Sequence, residues 1–205
     1  MGQSVKVSDR WPVQLARRMR GAGPKVADPE IIAQTGWTTG DLSTALDQAV
    51  SEGTFDTVPL LIGVNNQFHR LAIDQYQIEF PDLFQSAVTF AGGNSSHVIV
   101  ISIPDWGVTP FAQGRNRDLI AQQTDLFDSV DLMEATRAAP RHVDFTAMSQ
   151  EATAQSMLAA DDGPHPSGVM YSKWVDAVIP VAIKITPAPV RKRYNPPHRR
   201  TSKFR

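Results

Sequence analysis

The stretch HVIVISIPDW, residues 97–106, carries apolar side chains at five of the six positions from 98 to 103. A strand that is apolar on both faces is typical of a parallel sheet whose two faces are covered by helices. We therefore predict that this stretch forms a buried strand of such a sheet. The polar segment PDWG, which ends it, then lies at the carboxyl edge, where α/β sheets hold their chemistry.

Helical and strand patterns alternate on both sides of this stretch. Apolar residues at helical spacing predict helices at 9–21, 38–53, 69–93 with a kink at Pro81, 116–139 and 167–185. Short apolar runs bounded by turn residues predict strands at 26–33, 57–64 and 142–146. The alternation predicts one α/β domain over residues 1–185, with a parallel sheet and helices on both faces.

The last twenty residues, 186–205, differ from the rest of the chain. They hold seven of its 20 lysines and arginines, four prolines and none of its 21 acidic residues. A basic, proline-broken segment without apolar periodicity is predicted to be a disordered tail. Such a tail can contact nucleic acid or another anionic surface, but no partner motif accompanies it, so we favour a solvated tail and no nucleic-acid function.

Composition limits the class of protein. The chain has 205 residues, of which 41% are hydrophobic and 20% charged, as is typical of a globular domain. Neither a membrane span nor a secretory signal can be recognised, so we expect no membrane contact and a cytoplasmic protein. The absence of cysteine excludes disulfides and thiolate zinc sites.

Two pairs of residues suit acyl transfer, which needs a nucleophile, a base, a carboxylate that orients the base, and oxyanion donors. In DDGPHPSG, residues 161–168, Asp162 can orient His165 as the base. Asn65, in a GVNN segment after a predicted strand, and Gly36, in TGWTT, can donate to an oxyanion. Each feature taken alone has a plainer interpretation, as a surface loop or a turn.

A metal site is not expected. Asp161 stands beside Asp162, but two adjacent acids and one histidine lack a converging third ligand.

In this order, the segments resemble the SGNH hydrolase family, also called GDSL-type esterases and lipases. TGWTT resembles the block with the oxyanion glycine, which falls on Gly36, and IGVNN resembles the block with the oxyanion asparagine, which falls on Asn65. DDGPHPSG resembles the D-x-x-H-P-S block, and DRWPVQLARRMR resembles the helix after the nucleophile motif. The resemblance covers about 2–184 and implies a three-layer α/β/α sandwich with a five-stranded parallel sheet. It also implies hydrolysis of a small-molecule ester through an acyl-enzyme, with no metal or organic cofactor.

One part of the family pattern is missing. The family's first strand is central, between those predicted here at 26–33 and 57–64, and ends in Gly-Asp-Ser, whose serine is the nucleophile. MGQSV matches only the end of that stretch, which places the serine upstream of Met1. Ser4 is a weak substitute, because it lies about six residues too close to Trp11, roughly 9 Å at ~1.5 Å per residue.

We therefore expect an ester hydrolase by lineage that is inactive as written, so that whether this chain is an enzyme stays open. A chain starting at Met1 is expected to be poorly stable, aggregation-prone, or closed by strand 26–33 moving onto strand 57–64. We favour a mistaken start over a natural truncation. The alternative function is a non-catalytic descendant that binds an ester or a carbohydrate.

Overall fold

The fold centres on a small parallel sheet, seen in a computed structural model that describes residues 2–49, 53–138, 141–151 and 155–186. Its three strands are β1 (Val58–Leu60), β2 (Val98–Ile101) and β3 (His142–Val143), in the order β1-β2-β3. Both pairs are parallel, with Val58 opposite Val98 and Ile101 opposite Val143. The predicted α/β class with a parallel sheet is therefore confirmed.

Seven α-helices lie within the described residues, together with short 3₁₀ turns. They are α1 (Trp11–Gly21), α2 (Thr39–Gln48), α3 (Val64–Phe68), α4 (Ile73–Phe90), α5 (Arg117–Ala138), α6 (Thr146–Gln150) and α7 (Gly168–Ile185). Helix α4 continues through Pro81, where a kink was expected. Among these described helices, none combines the length and the apolar composition that a membrane crossing needs.

Strand β2 is buried on both faces, as its composition predicts. Ile99 and Ile101 pack into a core cluster with apolar residues of α1 and α7. Val98 and Val100 pack into a second cluster with residues of α4 and α5. All four side chains are at most 1% exposed. Because burial of such a side chain contributes about 1.5–3 kcal/mol, this strand is a main source of the stability of both clusters.

Helix α2 shows how local sequence fixes an element near the site. The Thr38 hydroxyl accepts from the Asp41 N–H, and the Asp41 carboxylate accepts from the Thr38 N–H at 2.9 Å. This reciprocal pair satisfies two amide groups that a helix start leaves free. Bonding from the Thr38 N–H, followed by its hydroxyl, lowers the pKa of Asp41. These bonds therefore fix the end of the TGWTT segment, residues 35–39, at the start of the helix.

The predicted strand at 26–33 is wrong. These residues have no regular secondary structure, and within the described part of the chain no backbone–backbone hydrogen bond involves them. A strand exists only as part of a ladder, and Pro29 also lacks an N–H, so the apolar character of the segment is not sufficient. The sheet of the described residues accordingly has three strands where the family resemblance implied five. The segment has also not closed onto β1, because a cleft separates the two.

The predicted strand at 57–64 is shorter than expected, because the chain turns at Gly63. Gly63 has φ +121°, and a Cβ there would lie 2.7 Å from the Tyr76 hydroxyl oxygen. A glycine is thus required for both backbone conformation and space. The following GVNN segment begins the short helix α3, which was predicted as a loop. The strand at 142–146 is also short and ends at Val143.

The burial of β2 predicts a large difference between two isoleucine-to-alanine variants. Ile101 is fully buried, so Ile101→Ala should lower the free energy of unfolding by about 2–5 kcal/mol through lost contacts and a cavity. Ile78, on α4, is 71% exposed, and Ile78→Ala should change it by no more than about 0.5 kcal/mol. Urea denaturation measures both, and equal effects would contradict the assignment of β2 to the core.

Candidate active site

The loop before α7 is closed by its own backbone. The Ala160 N–H donates to the His165 carbonyl at 2.7 Å, and the Ser167 N–H donates to the Leu158 carbonyl at 2.9 Å. Gly163, with φ +91°, provides the left-handed turn between them. The Ser167 hydroxyl also caps α7 by accepting from the Met170 N–H. The DDGPHPSG segment is therefore a fixed loop attached to the start of a helix.

Within this loop, the predicted base and its orienting carboxylate are in contact. The ring atom His165 Nδ1 lies 2.8 Å from Asp162 Oδ2, and the backbone N–H of His165 donates to Asp162 Oδ1 at 3.4 Å. The side chains are 36% and 26% exposed, respectively. A carboxylate bonded to Nδ1 fixes the ring orientation and directs Nε2 away from itself, which is the geometry of a general base held by an acid.

Ser4 lies beside Asp162 rather than beside the histidine ring. Its hydroxyl donates to Asp162 Oδ2 at 2.6 Å, and its backbone has φ +60°, a left-handed conformation unusual for a serine. Among the described residues, no hydroxyl forms a hydrogen bond with His165 Nε2. Ser4 therefore acts on the orienting carboxylate here, and this geometry gives it no base to take its proton.

Opposing effects set the pKa of Asp162. Partial burial raises it, but hydrogen bonds from the Ser4 hydroxyl and from His165, with the charge of His165, outweigh that effect, and the net pKa lies below the usual value for an aspartate. The carboxylate is consequently stabilised in its ionised form, as an orienting acid requires.

The predicted oxyanion donors come from two neighbouring loops. Gly36 has φ +88° in a turn that the Trp37 N–H closes onto the Gln34 carbonyl at 3.4 Å. Asn65 Nδ2 donates to the Trp37 carbonyl at 2.9 Å, and its second N–H has no acceptor among the described residues. The Asn65 amide therefore ties the two loops together and can still donate into the space beside them.

The second asparagine of the GVNN segment is buried and structural. Asn66 Oδ1 accepts from the Thr39 N–H at 3.0 Å, and Asn66 Nδ2 donates to the Thr39 hydroxyl at 2.5 Å. The same hydroxyl bonds the Glu79 carboxylate of α4. Asn66 thus fixes α3 to the start of α2. Its neighbour Asn65 instead bonds the Trp37 carbonyl and lines the cavity described next.

Gly36, Asn65 and His165 line one cavity of about 370 Å³, which lies in the size range of small-molecule sites. Much of the remaining lining is apolar or aromatic. It includes Trp37, Leu61, Val64, Phe68, Trp106, Phe111, Met170, Tyr171 and Trp174. The structure therefore brings three of the predicted residues to one mostly apolar cavity, and Asp162 supports it through His165.

Two members of an aromatic and cationic cluster at this cavity, Phe68 and Arg115, were not predicted from the sequence. Phe68 packs against Trp106 and Phe111, with ring centroids 5.2 and 6.1 Å away. The Arg115 guanidinium lies 4.9–5.7 Å from all three ring centroids. Residues three apart lie on the same face of a helix. A predicted helix at 64–68 would therefore have placed Phe68 beside Asn65. No local signal pointed to Arg115.

An acid on α5 fixes the loop that follows β2. Asp128 accepts from the Ile103 N–H at 2.8 Å and from the Thr146 hydroxyl at 2.6 Å. Burial raises the pKa of Asp128 to about 6, although both hydrogen bonds oppose the rise. This carboxyl therefore joins α5 to the carboxyl ends of β2 and β3, next to Asp105 and Trp106 of the site cavity.

No group of three or more histidine, acidic or cysteine side chains that could hold a metal occurs among the described residues. From residue 187 onward, the tail predicted to be disordered lies outside the described residues. That it is a solvated tail without a nucleic-acid function therefore stays a prediction. The cytoplasmic location also stays a prediction.

One solved structure, the crystal structure of TesA, is similar to this chain. The TM-score is 0.62 at 19% sequence identity, over 87% of this chain and 90% of the TesA chain. At this identity the likeness shows a shared fold, and it supports the SGNH-like fold expected from the sequence. No protein-family model matches the chain. No curated protein matches it either.

The pKa of Asp162 predicts a specific pH dependence of stability. Because the folded pKa lies below the unfolded value of 3.8, the ionised carboxylate stabilises the fold above that pH, and the contribution is lost as pH falls through the folded pKa. The difference in unfolding free energy between the wild type and Asp162→Asn should therefore be larger at pH 6 than at pH 2.5, by chemical denaturation. Asp161→Asn is the matched control.

A difference that stays constant between these two pH values, or one that Asp161→Asn reproduces, would contradict the role of the ionised Asp162 carboxylate.

Proposed function

We propose that this chain is an SGNH-type ester hydrolase by lineage, built as a three-layer α/β/α sandwich, whose cleavage of acyl esters through a serine, histidine and aspartate mechanism requires a serine from an upstream segment. The observation that carries the proposal is the 2.8 Å contact of His165 Nδ1 with Asp162 Oδ2, in a loop whose histidine shares a cavity with Gly36 and Asn65. These groups are the base, its orienter and two oxyanion donors. The proposed substrate is a small-molecule ester, and the proposed mechanism needs no cofactor.

In the proposed first step, a serine hydroxyl attacks the ester carbonyl carbon while His165 Nε2 takes its proton. The Asp162 carboxylate stabilises the imidazolium through Nδ1. The carbonyl oxygen gains negative charge and accepts hydrogen bonds from the free N–H of Asn65 and the backbone N–H of Gly36. Collapse of this intermediate releases the alcohol, which takes the proton from Nε2, and leaves an acyl-enzyme. Water then repeats the sequence and releases the acid.

The nucleophile of this mechanism is proposed to be a serine N-terminal to Gly2. Gly2 and Gln3 line the same cavity as His165, so a residue joined shortly before them can reach the base. Ser4 suits the role less well, because its hydroxyl is bonded to Asp162. Without an upstream serine, the chain is expected to be inactive.

The second candidate is a non-catalytic descendant that binds an ester or a carbohydrate in the same cavity. It is favoured by one observation, that His165 Nε2 has no hydroxyl partner among the described residues while the aromatic walls remain in place. Such a protein would keep the cavity and lack turnover.

The deciding experiment is the intact mass of the protein from its natural source, before and after treatment with a fluorophosphonate, which reacts with activated serines. We expect a mass above the 22.5 kDa of the 205-residue chain, and one adduct on a serine upstream of Gly2. In a recombinant copy of that natural protein, His165→Ala should abolish the adduct and hydrolysis of p-nitrophenyl butyrate. His97→Ala, remote from this loop in sequence, should leave both unchanged.

A natural mass of 22.5 kDa without an adduct would overturn the enzymatic proposal and favour the binding protein. An adduct on Ser4 that His165→Ala removes would instead make Ser4 the nucleophile.

A further inference from the structure

Arg115 lies over three aromatic rings at the point where the His165 cavity opens. The rings of Phe68, Trp106 and Phe111 all line that cavity. Phe68 and Phe111 are each more than a third exposed, so these two side chains face both the cavity and the solvent. The Arg115 guanidinium carbon lies 4.9 Å from the Phe111 centroid, 5.3 Å from that of Trp106 and 5.7 Å from that of Phe68. A cation therefore stands at the opening of the cavity.

Two of these rings belong to the segments that carry the proposed catalytic groups. Phe68 is on α3, three residues after Asn65, and therefore on the same face of that helix. Phe111 lies against the DDGPHPSG loop, because a Cβ built on Gly163 would be 3.8 Å from the Phe111 Cβ. His165 follows Gly163 by two residues in that loop. The rings thus hold the guanidinium beside both the oxyanion side and the histidine side of the cavity.

The charge of Arg115 is not balanced within the described part of the chain. Its side chain forms neither an ion pair nor a hydrogen bond with a described residue, whereas Arg18 pairs with Asp176 and Arg20 with Asp28. An aromatic ring attracts a cation through its quadrupole but carries no net charge. The guanidinium therefore keeps its full positive charge, and its N–H donors lack an acceptor among these residues.

The other polar groups near the opening do not supply that acceptor. Asp105 is the one acid among the described residues that line the cavity, and its carboxylate accepts from the Gly107 N–H at 2.8 Å. Burial raises the pKa of Asp105, although the Gly107 bond and the charge of Arg117 oppose the rise. His69 also lines the cavity and packs edge-on against Phe68, with 5.4 Å between the ring centroids. The opening is thus suited to an anion.

A packing role alone explains the position of Arg115 less well. An arginine that only covers an apolar surface does so with its methylene stem, while its head reaches into water. Here the head itself lies within 6 Å of three ring centroids, so its position is restricted before any ligand arrives. A restricted donor loses less conformational freedom on binding, which favours affinity.

We propose that Arg115 is an anion subsite of the His165 cavity, and that the ester bound there carries a carboxylate or phosphate group at the end that leaves the cavity. This substrate class rests on the proposed function, whereas the subsite is a property of binding alone. The ester group lies beside Asn65 and His165, and the apolar body of the molecule runs past the aromatic rings. The anionic end accepts from the planar guanidinium, which can donate two parallel hydrogen bonds to either anion.

The anion can belong to the acyl part or to the alcohol part of the ester, and two isomeric probes distinguish these cases. Monobutyl adipate carries its carboxylate on the acyl part. Its isomer 6-(butyryloxy)hexanoate carries the carboxylate on the alcohol part. The primary amide of each acid keeps the size and shape of the molecule and removes the charge.

The test measures binding of these four compounds to the 205-residue chain by isothermal titration calorimetry at pH 7. We expect at least one acid to bind roughly tenfold more tightly than its amide, the scale of one charge-assisted contact. Raising the ionic strength from about 0.05 to about 0.5 M should reduce this ratio, because Arg115 is exposed and salt screens its charge. The isomer that shows the preference identifies the part of the ester that carries the anion, and either isomer supports the subsite.

Three variants test the residue. Arg115→Gln removes the charge and should bring the ratio of acid to amide affinity to about one, with an unchanged thermal midpoint because the side chain is exposed. Arg115→Lys should restore part of the preference, since it restores the charge without the planar donors. Arg17→Gln makes the same change of net charge at an exposed residue of α1, on the opposite face of the sheet from α5, and should behave like the wild type.

Equal affinity for the acids and their amides would overturn the proposal, and so would a failure of all four compounds to bind. A preference that survives Arg115→Gln, or one that Arg17→Gln also removes, would assign it to another cationic group. Failure of the proposed function looks different. Binding of an acid through Arg115 without hydrolysis by the natural protein would leave an anion-binding protein, whereas fluorophosphonate labelling without a preference for acids would leave an esterase for neutral esters.

Discussion

The structure depends on one strand that must be covered on both sides. Each side chain of β2 belongs to one of two core clusters. One cluster includes residues of α1 and α7 on one face of the strand, and the other includes residues of α4 and α5 on the opposite face. Removal of either cover would expose apolar surface at about 25 cal/mol per Å². The helices that cover β2 also carry the site: α7 is preceded by the His165 loop, and α5 holds the loop after β2 through Asp128.

Much of the fold could be predicted from apolar periodicity. The helices at 11–21, 73–90, 117–138 and 168–185 and the strand at 98–101 all have long or unmixed apolar patterns, because they bury whole faces. The failures have a common cause. Residues 26–33 have a suitable composition but no neighbour in the described chain with which to form a ladder. The pattern of one segment cannot reveal whether a partner is present, since sheet pairing is a long-range interaction.

The site was predictable to the extent that its chemistry is local. Asp162 and His165 are three residues apart in a loop rich in turn residues, so their contact follows from short-range geometry. The contact of Asn65 with the Trp37 carbonyl joins segments 28 residues apart, and no local pattern predicts it. The bond from Ser4 to Asp162 spans 158 residues, and the stack of Arg115 on three aromatic rings requires tertiary packing. Neither contact can be recognised from a local sequence pattern.

Gly63 places the turn after β1 directly against α4 and, through Tyr76, against α5. Its missing side chain makes room for the Tyr76 hydroxyl, which donates to the Ile62 carbonyl and to buried Asp131 of α5 at 2.6 Å. Even the Cβ of an alanine would clash with this tyrosine, which bonds an acid whose second oxygen has no hydrogen-bond partner among the residues that the structure describes. Position 63 therefore tolerates few substitutions. A library of variants selected only for solubility would keep glycine at this position as often as a library selected for activity.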